Sequence, residues 1–143
     1  FLLASLLTTL LFGCSSKGDD IINLKCTLKQ MELKKGYETV DEKYWEIFFI
    51  TVNQNNKTAS FIEKGKNETA GTFIDKIEIK PDLIEMEYIK IREGFFDNQK
   101  TFKINRINGE ITYIDFYQTE GWEGTDIRRK GECYEPESVE TMF

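Results

Sequence analysis

The sequence predicts an all-β fold: a single antiparallel domain of about eight strands, closed into a small barrel or packed as a sandwich. Three observations point there. From residue 14 onward the chain holds sixteen Ile but only four Leu (Leu24, Leu28, Leu33, Leu83) and two Ala (Ala59, Ala70). Leu and Ala are the strongest apolar helix formers, whereas Ile, Phe, Tyr, Thr and Trp suit a pleated, half-buried surface. Apolar residues alternate with polar ones over short runs, and turn-forming clusters separate those runs. The 143 residues allow one domain, not two.

The elements follow in order. Ile22, Leu24, Cys26 and Leu28 share one parity and predict a first strand. Asp41 to Trp45 is the best helical candidate, and it is too short to stand alone. Tyr44 to Val52 is apolar on both parities at its centre (Trp45, Ile47, Phe48, Phe49, Ile50), which predicts a strand buried on both faces. Asn53-Gln54-Asn55-Asn56 reads as a turn, with Lys57 to Ile62 returning antiparallel. Glu63 to Glu68 forms a charged loop around Gly65. Thr72 to Lys80 alternates through Ile77 and Ile79 until Pro81-Asp82 breaks it. Leu83 to Arg92 is a further strand whose apolar parity shifts between Tyr88 and Ile89, a sign of a bulge or of a strand wet on neither face. Gly94 to Asn98 predicts a turn. Asn108-Gly109, between the alternating runs Phe102–Ile107 and Glu110–Ile114, predicts a type I′ hairpin, in which both central residues need positive φ. Gly121-Trp122-Glu123-Gly124 is a loop, and Ile127 to Tyr134 closes the series. The β domain thus spans residues 21–134, and residues 135–143 form an acidic tail.

Composition removes several function classes. The chain has no His, so Ser-His-Asp and Cys-His catalysis cannot arise within it. Imidazole zinc sites fall with them. Asp and Glu number 25 against 19 Lys and Arg, a net charge of -6, which argues against a nucleic-acid partner.

Residues 1–12 are apolar except for Ser5, Thr8 and Thr9, and the first charge is Lys17. Such a run is too short to cross about 30 Å of hydrocarbon as a helix. It fits the hydrophobic region of a secretory signal whose basic start is missing from the sequence. Leu11-Phe12-Gly13-Cys14 resembles the lipobox of bacterial lipoproteins, although Phe12 is larger than the usual residue at its place. The resemblance covers roughly the first 16 residues. It implies that residues 1–13 are a signal peptide cleaved after Gly13, that Cys14 carries diacylglycerol and an acylated (palmitate-class) amino group, and that residues 14–20 are a polar tether. Several acyl chains hold a protein stably on a membrane where one does not. Ser15 after the lipidated Cys looks like an outer-membrane destination, so the expected location is the cell envelope, facing the periplasm. The other readings are an ordinary cleaved signal with a free or paired Cys14, or a membrane-spanning anchor.

In an oxidising envelope, lipidation of Cys14 leaves two thiols, Cys26 on the first strand and Cys133 on the last. Their pairing would make those strands neighbours and close a loop of about 107 residues, worth up to about 4.7 kcal/mol in the chain-entropy treatment. The alternative is two buried free thiols.

Chemistry is sparse. No Ser sits in a Gly-x-Ser-x-Gly elbow. Glu85 and Glu87 share a strand face and could act as a carboxylate pair or hold a hard cation, against the plainer reading of a solvated face. No calcium-loop or phosphate-loop spacing occurs, and neither a metal nor a cofactor is expected. Phe95, Phe96 and Trp122 stand in predicted loops and are the candidate binding residues, with plugging of the barrel end as their alternative role. Arg128-Arg129-Lys130 is the one basic cluster, suited to anionic head groups or to a solvated strand end. Asn67-Glu68-Thr69 matches the glycosylation triplet, which in a bacterial chain reads as chance.

Ile104-Asn105-Arg106, Asn108-Gly109 and Gly131-Glu132-Cys133 resemble a pattern in small bacterial envelope proteins with no known activity. In size, anchor and β character the chain is also similar to lysozyme-inhibitor lipoproteins, but it lacks their Ser-Gly-x-x-Tyr loop. The expected function is a non-enzymatic, membrane-anchored binding or interaction module, an inhibitor or assembly accessory with an envelope protein as partner. The alternative is a small-molecule carrier with a lipocalin-like barrel. A carboxylate enzyme would be a third reading, resting on Glu85 and Glu87.

Overall fold

A computed structural model describes residues 20–33, 36–66, 71–92, 95–118 and 124–136. Ten strands form: β1 (Ile21–Leu33), β2 (Gly36–Thr39), β3 (Glu46–Asn53), β4 (Thr58–Glu63) and β5 (Thr72–Phe73), then β6 (Lys76–Ile79), β7 (Leu83–Arg92), β8 (Phe95–Asn105), β9 (Glu110–Tyr117) and β10 (Thr125–Tyr134). One turn of 3-10 helix, Glu42–Tyr44, stands where the weak helical signal lay.

The strands make a single antiparallel half-barrel sheet in the order β5-β4-β3-β1-β10-β9-β8-β7-β6, with β2 added to β1. Most consecutive strands are neighbours, β3 pairs with β1 rather than with β2, and the last, β10, returns beside the first. The two edges of the sheet are also consecutive, separated by Ile74 and Asp75. Ile74 N–H donates to Ala59 O and Asp75 N–H to Glu87 O, both at 2.9 Å. Residues 72–79 thus form one extended segment. Its first half pairs with β4 and its second half with β7, so the chain itself joins the two edges.

Cys26 pairs with Cys133 across β1 and β10, and a disulfide links them. Nearby, Gly131 faces Leu28. A Cβ there would run into Thr27 O and stand 2.7 Å from Leu28 Cα, so only glycine allows β1 this close. A register shift between Leu28 and Gln30 follows at once.

Period-two alternation builds the core on the concave face. Leu24, Cys26 and Leu28 of β1, Phe48, Ile50 and Val52 of β3, and Ala59 and Phe61 of β4 point inward. They meet Ile84 and Met86 of β7, Phe102 and Ile104 of β8, and Ile111 and Tyr113 of β9. Phe48 lies at the centre, its ring 5.9, 5.4 and 5.0 Å from those of Phe61, Phe102 and Tyr113. Phe49 is buried as well, on the opposite parity, in keeping with a β3 covered on both faces.

Three local expectations are corrected. The predicted turn over 94–98 is largely strand. β8 begins at Phe95, and β7 and β8 absorb Asp97 as a bulge, Lys90 pairing with Asn98 and Ile91 with Phe96. Asn98 fixes this arrangement by donating to Asp115 Oδ1 at 2.6 Å and to Phe116 O at 3.0 Å. The bulge lies beyond the parity shift at Tyr88–Ile89, and its extra residue is on the partner strand, so β7 itself pairs without interruption through both residues.

The hairpin at Asn108-Gly109 is not type I′. Gly109 has a φ of 77°, but Lys57 is the one non-glycine at positive φ among the described residues. The loop is longer: Gly109 N–H donates to Asn105 O at 2.9 Å, while the Asn105 side chain accepts from Ile107 N–H and Asn108 N–H at 2.8 and 3.2 Å. That side chain substitutes for the backbone bonds of a two-residue turn. Finally, β2 was not anticipated, since it carries a single half-buried residue, Tyr37.

Candidate functional site

The alternation that builds the core also carries charge inward at one end. The chain enters the sheet at Asp20, beside the turns 54–57, 80–82 and 106–109; this is the entry end. The opposite, far end holds the first residues of β3, β8 and β10 and the last of β4, β7 and β9. There the inward positions become Glu46 on β3, Glu63 on β4, Asn98 and Lys100 on β8, Asp115 on β9 and Arg129 on β10, each in register with a core residue two or more places away.

Two clusters result. Arg129, 8% exposed, pairs with Glu46 Oε1 at 3.2 Å and donates to Tyr44 O at 3.0 Å, pinning the 3-10 turn to the sheet. Lys100 Nζ lies 3.1 Å from Asp115 Oδ2 and 3.2 Å from Tyr113 Oη, and Asn98 holds the other Asp115 oxygen. Burial pushes the Glu46 carboxyl above the usual carboxylate range. Glu63 and Asp115 act in the same direction, while Arg129 and Lys100 oppose them. Desolvation therefore outweighs the ion pair. Burial also drives the Tyr113 phenol far up, helped by Asp115, Glu46 and Glu63, so it stays protonated.

A cleft of about 370 Å³ opens on this end, with Phe61, Glu63, Tyr88, Asp97, Lys100 and Tyr117 among its walls. Tyr88 stands edge-on to Phe61 at 5.7 Å, and Lys90 reaches Asp97 at 3.7 Å across the rim. Such a mouth offers donors, acceptors and aromatic faces together, which suits recognition of a polar group. Within it Lys100, Asp115 and Tyr113 are engaged with one another. A second cleft, about 400 Å³, lies at the entry end, walled by Ile22, Leu24, Ile84 and Ile104 and rimmed by Arg106 and Tyr134. Arg106 straps that end, donating to Lys80 O at 2.8 Å and Gln54 Oε1 at 3.1 Å.

The residues singled out in the sequence fall in different places. Cys26 and Cys133 form the disulfide. Cys14 and Trp122 lie outside the described residues, as does the triplet 67–69. Phe95 and Phe96 belong to β8, opposite Arg92 and Ile91 at the far end. Glu85 and Glu87 share the outer face of β7, as expected, but each is matched across a strand by a cation, Lys103 for Glu85 and Lys76 for Glu87. Glu85 also faces Glu78, and Glu85 and Glu87 are both half-buried on this face. Among the described residues no three metal-ligating side chains converge.

The basic cluster is divided by the pleat. Arg128 turns outward to Glu32 and Asp126, and Lys130 turns outward over the Tyr37 ring at 4.2 Å. Arg129 turns inward, because it shares parity with Cys133. That parity was readable from Cys133, and it would have found Arg129. Glu46, Lys100 and Asp115 carried no signal of their own, since each sits in an ordinary alternating run.

No family model matches the chain, and no curated protein or solved structure does either. The fold and the far-end cluster define the class that stands on the page: a disulfide-closed antiparallel half-barrel with a packed core and a polar mouth.

Proposed function

We propose that the chain is a lipid-anchored, non-enzymatic binding module of the bacterial envelope, and that it meets its partner at the far end. The observation that supports this most is the filled interior. Phe48, Phe61, Phe102 and Tyr113 occupy the middle of the concave face, and the polar groups gather above them at the mouth. A ligand therefore meets the molecule at an end, where hydrogen-bonding groups and the Tyr88 and Tyr117 rings are accessible, and an envelope protein is the partner such a surface suits. Cys14 precedes Asp20 by six residues, a reach of at most about 20 Å. Lipid on Cys14 would leave the mouth pointing away from the membrane.

Native mass spectrometry of the mature protein, recovered from its own envelope without reduction, tests the reading. The expected result is a complex with an envelope protein that Tyr117→Ala or Lys90→Glu weakens at least tenfold. A stoichiometric small-molecule mass in its place, unaffected by those changes, would replace the module with the carrier.

A further inference from the structure

The entry end has the opposite character to the mouth, and the mouth's function does not use it. Ile107, at the tip of the β8–β9 hairpin, is 82% exposed, the highest value of any large apolar side chain among the described residues. Ile21 and Tyr134 at the same end are 50% and 52% exposed. Tyr134 lines the cleft walled by Ile22, Leu24, Ile84 and Ile104, and Ile107 and Ile21 are the chain neighbours of its lining residues Arg106, Asn108 and Ile22. Leaving this much apolar surface in water is unfavourable, and an exposed apolar patch with a polar rim marks a contact surface.

We propose that the entry end rests on a phospholipid bilayer, with the Ile107 hairpin tip set into the head-group boundary and Tyr134 at its polar edge. This proposal rests on the reading of Cys14 as the lipid anchor. The reach of the chain selects the occupant. The tether of about 20 Å is attached at Asp20, between Ile21 and the 54–57 turn, whereas the far end lies about 26 Å away along the eight residues of β3. Anchored by Cys14, the molecule holds its entry end nearest the lipid. Tyr prefers this interfacial depth, having an apolar body and a polar tip.

Charge narrows the lipid. In and beside the turns of this end stand Lys57, Lys80 and Arg106 on the one hand and Asp20, Asp82, Glu110 and Glu135 on the other, three cations against four carboxylates. An anionic surface gains nothing from that balance, so the contact belongs to neutral, zwitterionic phospholipid and is insensitive to salt.

The test uses the full mature protein in phosphatidylcholine vesicles whose acyl chains carry bromine. Ile107→Trp is compared with Phe73→Trp, a side chain 75% exposed on the flank of the sheet. Emission is read as the difference from the parent protein, which contains Trp45 and Trp122. Bromine should quench the Trp at 107 at least twofold and leave that at 73 unchanged, in 50 mM and 500 mM salt alike. Equal quenching at both positions, or none at 107, overturns the contact. Intact mass on the same sample reads the lipid on Cys14 separately. A lipidated chain without quenching removes the surface and keeps the anchor; quenching by a chain without lipid keeps the surface and removes the anchor.

Discussion

The two ends of the half-barrel are built by the same strands and the same pleat, yet they differ in what faces inward. At the entry end the inward row is Leu24, Ile84 and Ile104, and apolar surface is left over outside it. At the far end the inward row is Glu46, Lys100, Asp115 and Arg129, and it is covered by its own ion pairs. Alternation decides which residues point inward; the identity of two or three residues per strand decides whether that end is dry or wet. The dry end is stable without specific partners, whereas the wet end depends on every charge keeping its counterpart.

The sharpest way to break this contrast is Arg129→Met. It leaves Glu46, whose side chain is 26% exposed, without its cation, so the loss should fall below the ~3–5 kcal/mol of a fully buried pair. The double change Arg129→Met with Glu46→Leu should recover most of that loss in urea denaturation, because a buried ion pair replaced by apolar groups is near neutral. At the entry end Arg106→Met should cost under about 1 kcal/mol, since its side chain is exposed and makes two ordinary hydrogen bonds.

The disulfide belongs to neither end, and its loss should weaken both together. Cys26→Ala with Cys133→Ala is expected to cost about 2–5 kcal/mol, read as one cooperative transition at lower denaturant. Two separate transitions would mean that the ends fold independently.

Asn105→Ala isolates the entry-end hairpin. Its side chain accepts from Ile107 and Asn108, so its removal should cost about 0.5–2 kcal/mol, as for a lost cap of similar geometry. Hydrogen exchange should accelerate at Ile107 and Asn108 and stay unchanged at Arg129.

The smallest effect is electrostatic. Burial holds the folded Glu46 carboxyl above its unfolded value. The folded state therefore binds the proton more tightly, and stability falls as pH rises from the ordinary carboxylate range through the raised one. Melting temperature against pH should show that decline in the parent protein, and Glu46→Gln should flatten it. A decline of the same size in Glu46→Gln would overturn the assignment to Glu46.

Much of this architecture was legible in the chain. The excess of Ile over Leu and Ala, the alternation and the spacing of turns pointed to the antiparallel meander, and the two cysteines to the neighbouring first and last strands. The far-end cluster was not legible, because a charged residue on the inward parity looks like any outward one until its register is known. Lys100 is inward only because Phe102 is, and the bulge at Asp97 fixes how the β7–β8 hairpin approaches it. The hairpin at Asn105 misled for a related reason: the dipeptide Asn-Gly specifies a turn, but a second Asn, three residues upstream of the first, chose which one.

The shared segment 72–79 has a further consequence, for aggregation. An open sheet edge is a template for another chain. Here the edge of β7 passes out of pairing above Glu87, where the Asp75 carboxylate accepts the Ile89 N–H at 2.7 Å. A side chain carrying negative charge thus occupies the place a foreign strand would take. Asp75 caps a backbone donor that strand addition would need, at the point where the sheet changes from one edge to the other.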